Sequence, residues 1–322
     1  MPEVKIAQVG CGYWGKNLVR NFAQIGALGA IVDPYQPTAE KMSAEFEVPA
    51  LSFDQVLADP DISGVAFATP AETHADGAVA ALMAGKHVYV EKPLAITMAD
   101  CRRMIGTAAA ADRILMVGHL LQYHPIFVAL RDLVAGGEIG RLTYVYSNRL
   151  SLGKFRIEED VLWSFAPHDI SMVLALANSP VSEVSAQGSA FVTPGIANVA
   201  TCQLGFASGL KGHVFTSWSH PFKEQRLVAI GESGMAVFED SRPEWNEKLA
   251  IYRHQIDRSG PVPVPRAAAA EYVAVPKGEP LRTECESFVE AIRTGKPPRT
   301  DGAEGLAVVE VLERATRAMR GA

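Results

Sequence analysis

Short apolar runs alternate with amphipathic segments through the first 120 residues. Residues 6–9, 30–32, 65–68, 87–90 and 114–117 are mostly apolar without regular polar alternation, the pattern of strands covered on both faces. Between them, residues 17–24, 37–46, 74–84 and 99–111 carry helical spacing. Pro37 sits at a tolerated first-turn position, Gly85 follows residue 84, and Thr97 and Asp100 mark the start of the last of these helices. Such βαβ alternation predicts a doubly wound parallel sheet.

The pattern changes after about residue 120. Residues 125–135 predict one more helix, ended by GGEIG, and strand-like runs follow at 142–150, 181–191, 199–206, 210–216, 226–230 and 236–239. Ser208-Gly209 and Ser233-Gly234 are turn signals between several of them. A helical segment at 168–177 interrupts early, residues 258–272 (RSGPVPVPRAAAAEY) read as a Pro/Ala-rich loop, and helices at 281–294 and 304–319 finish the chain. The plan is α/β: an N-terminal Rossmann-type doubly wound parallel sheet in residues 1–120, then a C-terminal α+β domain in residues 121–322 on a large, mostly antiparallel, open-faced sheet. Apolar sheet faces tend to be buried in oligomers, so a homodimer or homotetramer is expected.

Composition narrows the classes. With 322 residues, 48% of them hydrophobic and 20% charged, the chain has the make-up of a soluble protein with a sizeable core. A net charge of -6 leaves no basic surplus for a nucleic-acid partner. No apolar stretch approaches the roughly 18 residues of a membrane helix. The N-terminus enters a strand almost at once with no basic-then-apolar leader, and a cytoplasmic protein is expected. Cys11, Cys101, Cys202 and Cys285 are scattered without a CxxC pair, which predicts neither a disulfide framework nor a metal site.

Candidate chemistry begins at Gly10-Cys11-Gly12-Tyr13-Trp14-Gly15, which fits G-x-G-x-x-G. A strand precedes it, a helix follows, and Asp33 ends the second strand, the context of a dinucleotide site. Gly10 allows the tight turn, Gly12 the approach of a pyrophosphate, and Gly15 close helix–strand packing. Asp33 can accept from a ribose hydroxyl pair and repels a 2′-phosphate, which favours NAD over NADP. Tyr13 and Trp14 are bulky for such a loop; they either cover the dinucleotide or pack between domains. Cys11 is read as inert packing. Further on, Glu91-Lys92-Pro93 follows an apolar strand, so Lys92 falls at the carboxyl edge of the sheet. A lysine there can donate to a substrate hydroxyl as hydride leaves the carbon.

Together GCGYWG, the Thr69-Pro70 turn with His74, and EKP resemble the Gfo/Idh/MocA family of NAD(P)-dependent oxidoreductases over nearly the whole chain. The resemblance implies that Lys92 assists catalysis, that the peptide before Pro93 is cis, and that Thr69, Pro70, His74 and Glu91 belong to the cofactor site. It also implies a histidine proton acceptor in an Asp-x-x-x-His motif. In LWSFAPHDISMVLAL, His168 falls on the histidine while Ser164 occupies the aspartate position. Asp169 lies about 100° around a helix from His168 and is a candidate to orient the imidazole. His168 is thus the candidate general base, since an unperturbed imidazole titrates near neutrality.

The same resemblance makes the segment with His119, Tyr123 and His124 a substrate wall, with a structural role for any one of them as the alternative. Arg149, Lys154 and Arg156 are candidates for an anionic substrate tail such as a diphosphate. Trp218 and His220 lie in a sheet-and-loop segment where substrate contact is a further option. GYWGKNLVRNF and WSFAPHDIS look most like members that oxidise the C3 hydroxyl of nucleotide-linked (UDP-type) N-acetylamino sugars for surface-polysaccharide or lipid A pathways. A free-sugar or inositol dehydrogenase is the enzymatic alternative. A NAD-sensing regulatory protein, kept open by Ser164, is the non-catalytic one.

Overall fold

In the computed structural model, which describes residues 3–321, the chain divides into two compact units. One comprises residues 1–123 and 279–310, the other residues 124–278 and 311–322.

The first unit alternates β1 (Ile6–Val9), α1 (Gly15–Gln24), β2 (Leu28–Val32), α2 (Gln36–Phe46), α3 (Phe53–Ala58), β3 (Gly64–Phe67), α4 (His74–Met83), β4 (His87–Glu91), α5 (Met98–Ala111) and β5 (Leu115–Gly118). All five strands are parallel, in the order β2-β1-β3-β4-β5. Beyond β2 the sheet is extended only by an isolated parallel bridge from Ile31 to Ala50. The five strand runs and four of the five helices were expected. The short α3 was not, although its capping box is written in the sequence: Ser52 Oγ accepts from Gln55 N–H while Gln55 Oε1 accepts from Ser52 N–H.

The second unit holds α6 (Pro125–Ala135), β6 (Leu142–Leu152), α7 (Val161–Ala177), β7 (Val181–Ser189), β8 (Val199–Phe206), β9 (Lys211–Ser217), β10 (Ser219–Gly231), β11 (Met235–Glu239), β12 (Leu249–Tyr252), β13 (Gln255–Asp257), β14 (Val264–Arg266) and β15 (Ala270–Tyr272). Eight strands form one sheet in the order β15-β12-β11-β10-β6-β9-β8-β7. Only the β6–β9 pairing in it is parallel. Helix α7 packs on β6, β8 and β9. The opposite face carries Tyr144, Tyr146 and His213, the last two stacked with ring centres 5.0 Å apart.

Three expectations need correction. The segment 258–272 is not structureless, since it supplies β14, which pairs with β13, and edge strand β15. Helix α7 begins at Val161 rather than at residue 168; Asp160 caps it by accepting from Trp163 N–H at 3.1 Å, and Pro167 lies inside. A single boundary near residue 120 was expected, whereas the chain passes between the compact units after residues 123, 278 and 310. Helix α8 (Pro280–Thr294) returns to the first unit, and α9 (Gly302–Met319) changes unit at residue 310. The cause is the stripe Leu281, Cys285, Phe288 and Val289, which packs with Ile6, Leu18, Phe22 and Tyr89 in one core.

Candidate active site

Each loop at the carboxyl edge of the parallel sheet carries a group singled out from the sequence. The glycine turn follows β1, Asp33 follows β2, Thr69-Pro70 follows β3, Lys92 follows β4 and His119 follows β5. Parallel strands put all five loops on one edge, and the order reverses between β1 and β3, the place where such sheets bind ligands.

The three glycines differ in what requires them. Gly10 has φ +82°, and a Cβ there would lie 2.7 Å from the Ala68 carbonyl oxygen. A Cβ at Gly15 would lie 1.9 Å from the Gly10 carbonyl oxygen. The protein itself therefore fixes both. At Gly12 a Cβ would meet nothing within 4 Å, so packing within the described residues does not require a glycine there. That open approach at the N-terminus of α1 fits a pyrophosphate. Asp33 Oδ2 accepts from Cys11 N–H at 2.7 Å and Oδ1 from Tyr35 N–H at 2.9 Å, which locks the carboxylate beside the turn with lone pairs left for a ribose diol. Burial, then Asp33, push the Cys11 thiol up to about 12, in keeping with an inert side chain.

Trp14 has a role the sequence did not disclose. Its Nε1–H donates to Glu91 Oε1 at 2.5 Å, tying the turn after β1 to the end of β4. Tyr13 is 89% exposed, with Lys16 Nζ 5.6 Å from its ring centre. Glu91, expected in the cofactor site, is buried. Its Oε1 also lies 3.0 Å from Tyr89 Oη, and Oε2 accepts from Lys92 N–H at 3.2 Å. Tyr89 Oη lies another 3.0 Å from Glu284 Oε2 on α8. Burial raises the Glu91 pKa against the opposing pull of Trp14 and Lys92; burial, then Glu91, push Glu284 well above the ordinary value.

Lys92 is half-buried, and the Lys92–Pro93 peptide is cis. His74, expected at the cofactor, is buried with Nδ1 2.9 Å from Pro93 O and Nε2 2.9 Å from Thr69 O. It buckles the loop after β3 to the loop after β4, and burial lowers its pKa. Thr69 Oγ1 lies 2.7 Å from Thr73 Oγ1, while Pro70 is exposed.

The polar groups after β5, expected as a substrate wall, make contacts inside the protein. His119 Nδ1 contacts Glu304 Oε2 at 2.6 Å. Tyr123 is 5% exposed, with its hydroxyl 3.0 Å from Thr300 Oγ1. His124 caps α6, accepting from Ile126 N–H at 3.2 Å, and stacks on Trp245.

In the second unit, Ser164 and His168 stand one turn apart on α7. With Arg149, Ser151, Lys223 and Gln225 they line a cavity of about 150 Å³. Asp169, the candidate to orient the imidazole, is engaged from β6. Its Oδ1 accepts from Ser147 Oγ at 2.5 Å, and Arg149 Nε donates to Oδ2. Arg149 is thus a partner of a carboxylate that is 1% exposed as well as a lining residue of the cavity. Lys154 is exposed, and Arg156 pairs with Glu159 at 2.8 Å. Trp218 is fully buried, its ring met edge-on by Phe155 and Phe165, and His220 packs against Phe222. Lys223 is the charged lining group that sequence reasoning did not single out, and the polar Ser151 and Gln225 were not singled out either; nothing in the local pattern of β10 distinguishes Lys223.

Known proteins share this plan. Residues 4–119 match the oxidoreductase family model with an NAD-binding Rossmann fold, and residues 127–237 match the GFO/IDH/MocA C-terminal domain. A UDP-N-acetylglucosamine 3-dehydrogenase of Acidithiobacillus ferrooxidans is 29% identical over 96% of this chain and 95% of its own. Its solved structure, GnnA, superposes with a TM-score of 0.87 at 27% identity, covering 100% of this chain and 99% of that one. A myo-inositol 2-dehydrogenase of Thermotoga maritima is 26% identical over 94% of this chain and 92% of its own. The chain belongs to the Gfo/Idh/MocA family, as an NAD-binding oxidoreductase acting on hydroxyl groups.

Proposed function

We propose that the substrate is a sugar whose secondary hydroxyl becomes a ketone, specifically C3 of a UDP-linked N-acetylamino sugar used for surface polysaccharide or lipid A. The observation that carries the reading is Lys92 on the same sheet edge as the glycine turn, linked to it through Glu91 and Trp14. Oxidation removes a hydride from carbon and a proton from oxygen. NAD, when bound, accepts the hydride. Lys92 donates to the substrate oxygen and favours its alkoxide character. His168 takes the proton, with Ser164 in the place of the family aspartate. Tyr13, exposed beside Gly12, covers the dinucleotide.

The 29% identity to a UDP-N-acetylglucosamine 3-dehydrogenase along nearly the full chain supports this substrate. The Arg149–Asp169 pair favours a second reading, a free sugar or inositol, because it leaves Lys223 and Lys154 to meet a diphosphate. NAD reduction screened against UDP-N-acetylhexosamines, their uronates, free hexoses and inositols separates the two. Turnover with only the last two groups would overturn the nucleotide-sugar assignment. Loss of turnover in Lys92→Ala with NAD still bound rejects a mere NAD sensor. A homodimer or homotetramer formed through the sheet face opposite α7 completes the proposal, and light scattering tests it.

A further inference from the structure

One hydroxyl serves two buried carboxyls in the first unit. Tyr89 Oη is 3.0 Å from Glu91 Oε1 and 3.0 Å from Glu284 Oε2, and it has a single hydrogen. If both carboxyls were ionised, one of these contacts would have no hydrogen in it. A second proton is therefore shared among the three groups. The two carboxyls are not equivalent. Glu91 receives N–H donors from Trp14 and from Lys92, enough to hold an anion. Glu284 is 0% exposed, and its Oε1 has no hydrogen-bond partner among the described residues, the setting most hostile to an ionised carboxylate. Facing the pair are Lys92 beside Glu91, and Glu304 and Cys285 beside Glu284. Glu304 is itself held by His119.

We propose that Glu284 is a neutral acid donating to Tyr89 Oη, which commits the tyrosine hydrogen to Glu91 and keeps Glu91 anionic next to Lys92. Glu284 and Tyr89 are then positioning residues, reaching the reaction only through Glu91 and Lys92. A chain of this kind, acid to hydroxyl to anion, strengthens each link by polarising the next. The effect on turnover rests on the assignment of Lys92 above, whereas the protonation state does not.

Infrared spectroscopy of the whole protein near neutral pH tests the state directly. A protonated-carboxyl C=O band should be present in the wild type, persist in Glu91→Gln and vanish in Glu284→Gln. Any other pattern overturns the proposal. In turnover, Glu284→Gln keeps an N–H for Tyr89 Oη and should retain kcat within about threefold. Tyr89→Phe takes a donor from Glu91 and should move the acid limb of kcat upward by about one pH unit, with KM for NAD little changed. A uniform fall of the profile without movement of the limb would show a structural role and overturn the link to Lys92. Lys92→Ala with undiminished turnover would sink the catalytic assignment instead, leaving the infrared result intact.

Discussion

The indole N–H of Trp14 donates to the carboxylate of Glu91, 77 residues further along the chain. This bond fastens the dinucleotide turn to the strand end that presents Lys92. Trp14→Phe keeps the ring and removes the donor from a buried carboxylate. We expect a loss of about 1–2 kcal/mol in urea unfolding and weaker NAD binding by titration calorimetry. Unchanged values of both would remove the fastening role.

Gly12 and Gly15 should separate ligand from fold. Gly12→Ala meets no protein atom within 4 Å, so its stability should stay within about 0.5 kcal/mol of wild type while NAD affinity falls at least about tenfold. Gly15→Ala puts a Cβ 1.9 Å from the Gly10 carbonyl oxygen and should depress the melting temperature and NAD binding together. Normal NAD affinity in Gly12→Ala would contradict the pyrophosphate approach.

Asp33 should set cofactor choice. Asp33→Ser removes the charge that repels a 2′-phosphate and loosens the Cys11 and Tyr35 contacts. The ratio of kcat/KM for NAD over NADP should drop by about tenfold or more, a difference of about 1.4 kcal/mol. A ratio that stays put would assign the discrimination elsewhere.

Arg149 and Asp169 should behave as one unit. Arg149→Met strands a carboxylate that is 1% exposed and should cost about 3–5 kcal/mol in thermal or urea unfolding. The double variant Arg149→Met with Asp169→Leu should recover most of that loss. If the single variant folds normally and only its substrate KM rises, Arg149 is a substrate ligand after all.

Glu284 makes stability depend on pH with a definite sign. Its pKa in the folded chain lies above the ordinary 4.5, so above that pH the folded protein holds a proton that the unfolded chain has released. The associated stability is fully present below 4.5 and lost as pH rises toward the folded value. Glu284→Gln abolishes this linkage. Its stability relative to wild type should climb with pH by up to about 1.4 kcal/mol per unit. A difference that is flat with pH would show that Glu284 ionises in the fold as it does unfolded.

The local part of this protein was legible from its residues. Strand runs, helical spacing, the glycine turn, Asp33 and the Lys92 strand end all follow from rules that act over a few residues: side-chain periodicity, backbone freedom and capping. Even the overlooked α3 was announced by Ser52 and Gln55. Periodicity says that a helix face is buried, not against what. Only the tertiary structure therefore decided that α8 returns to the first unit, that α7 runs through Pro167, and that Arg149 answers Asp169. Likewise, Tyr89 meets Glu284 across 195 residues because one core draws β4 and α8 together. Burial then leaves each polar group dependent on whatever partner the packing supplies.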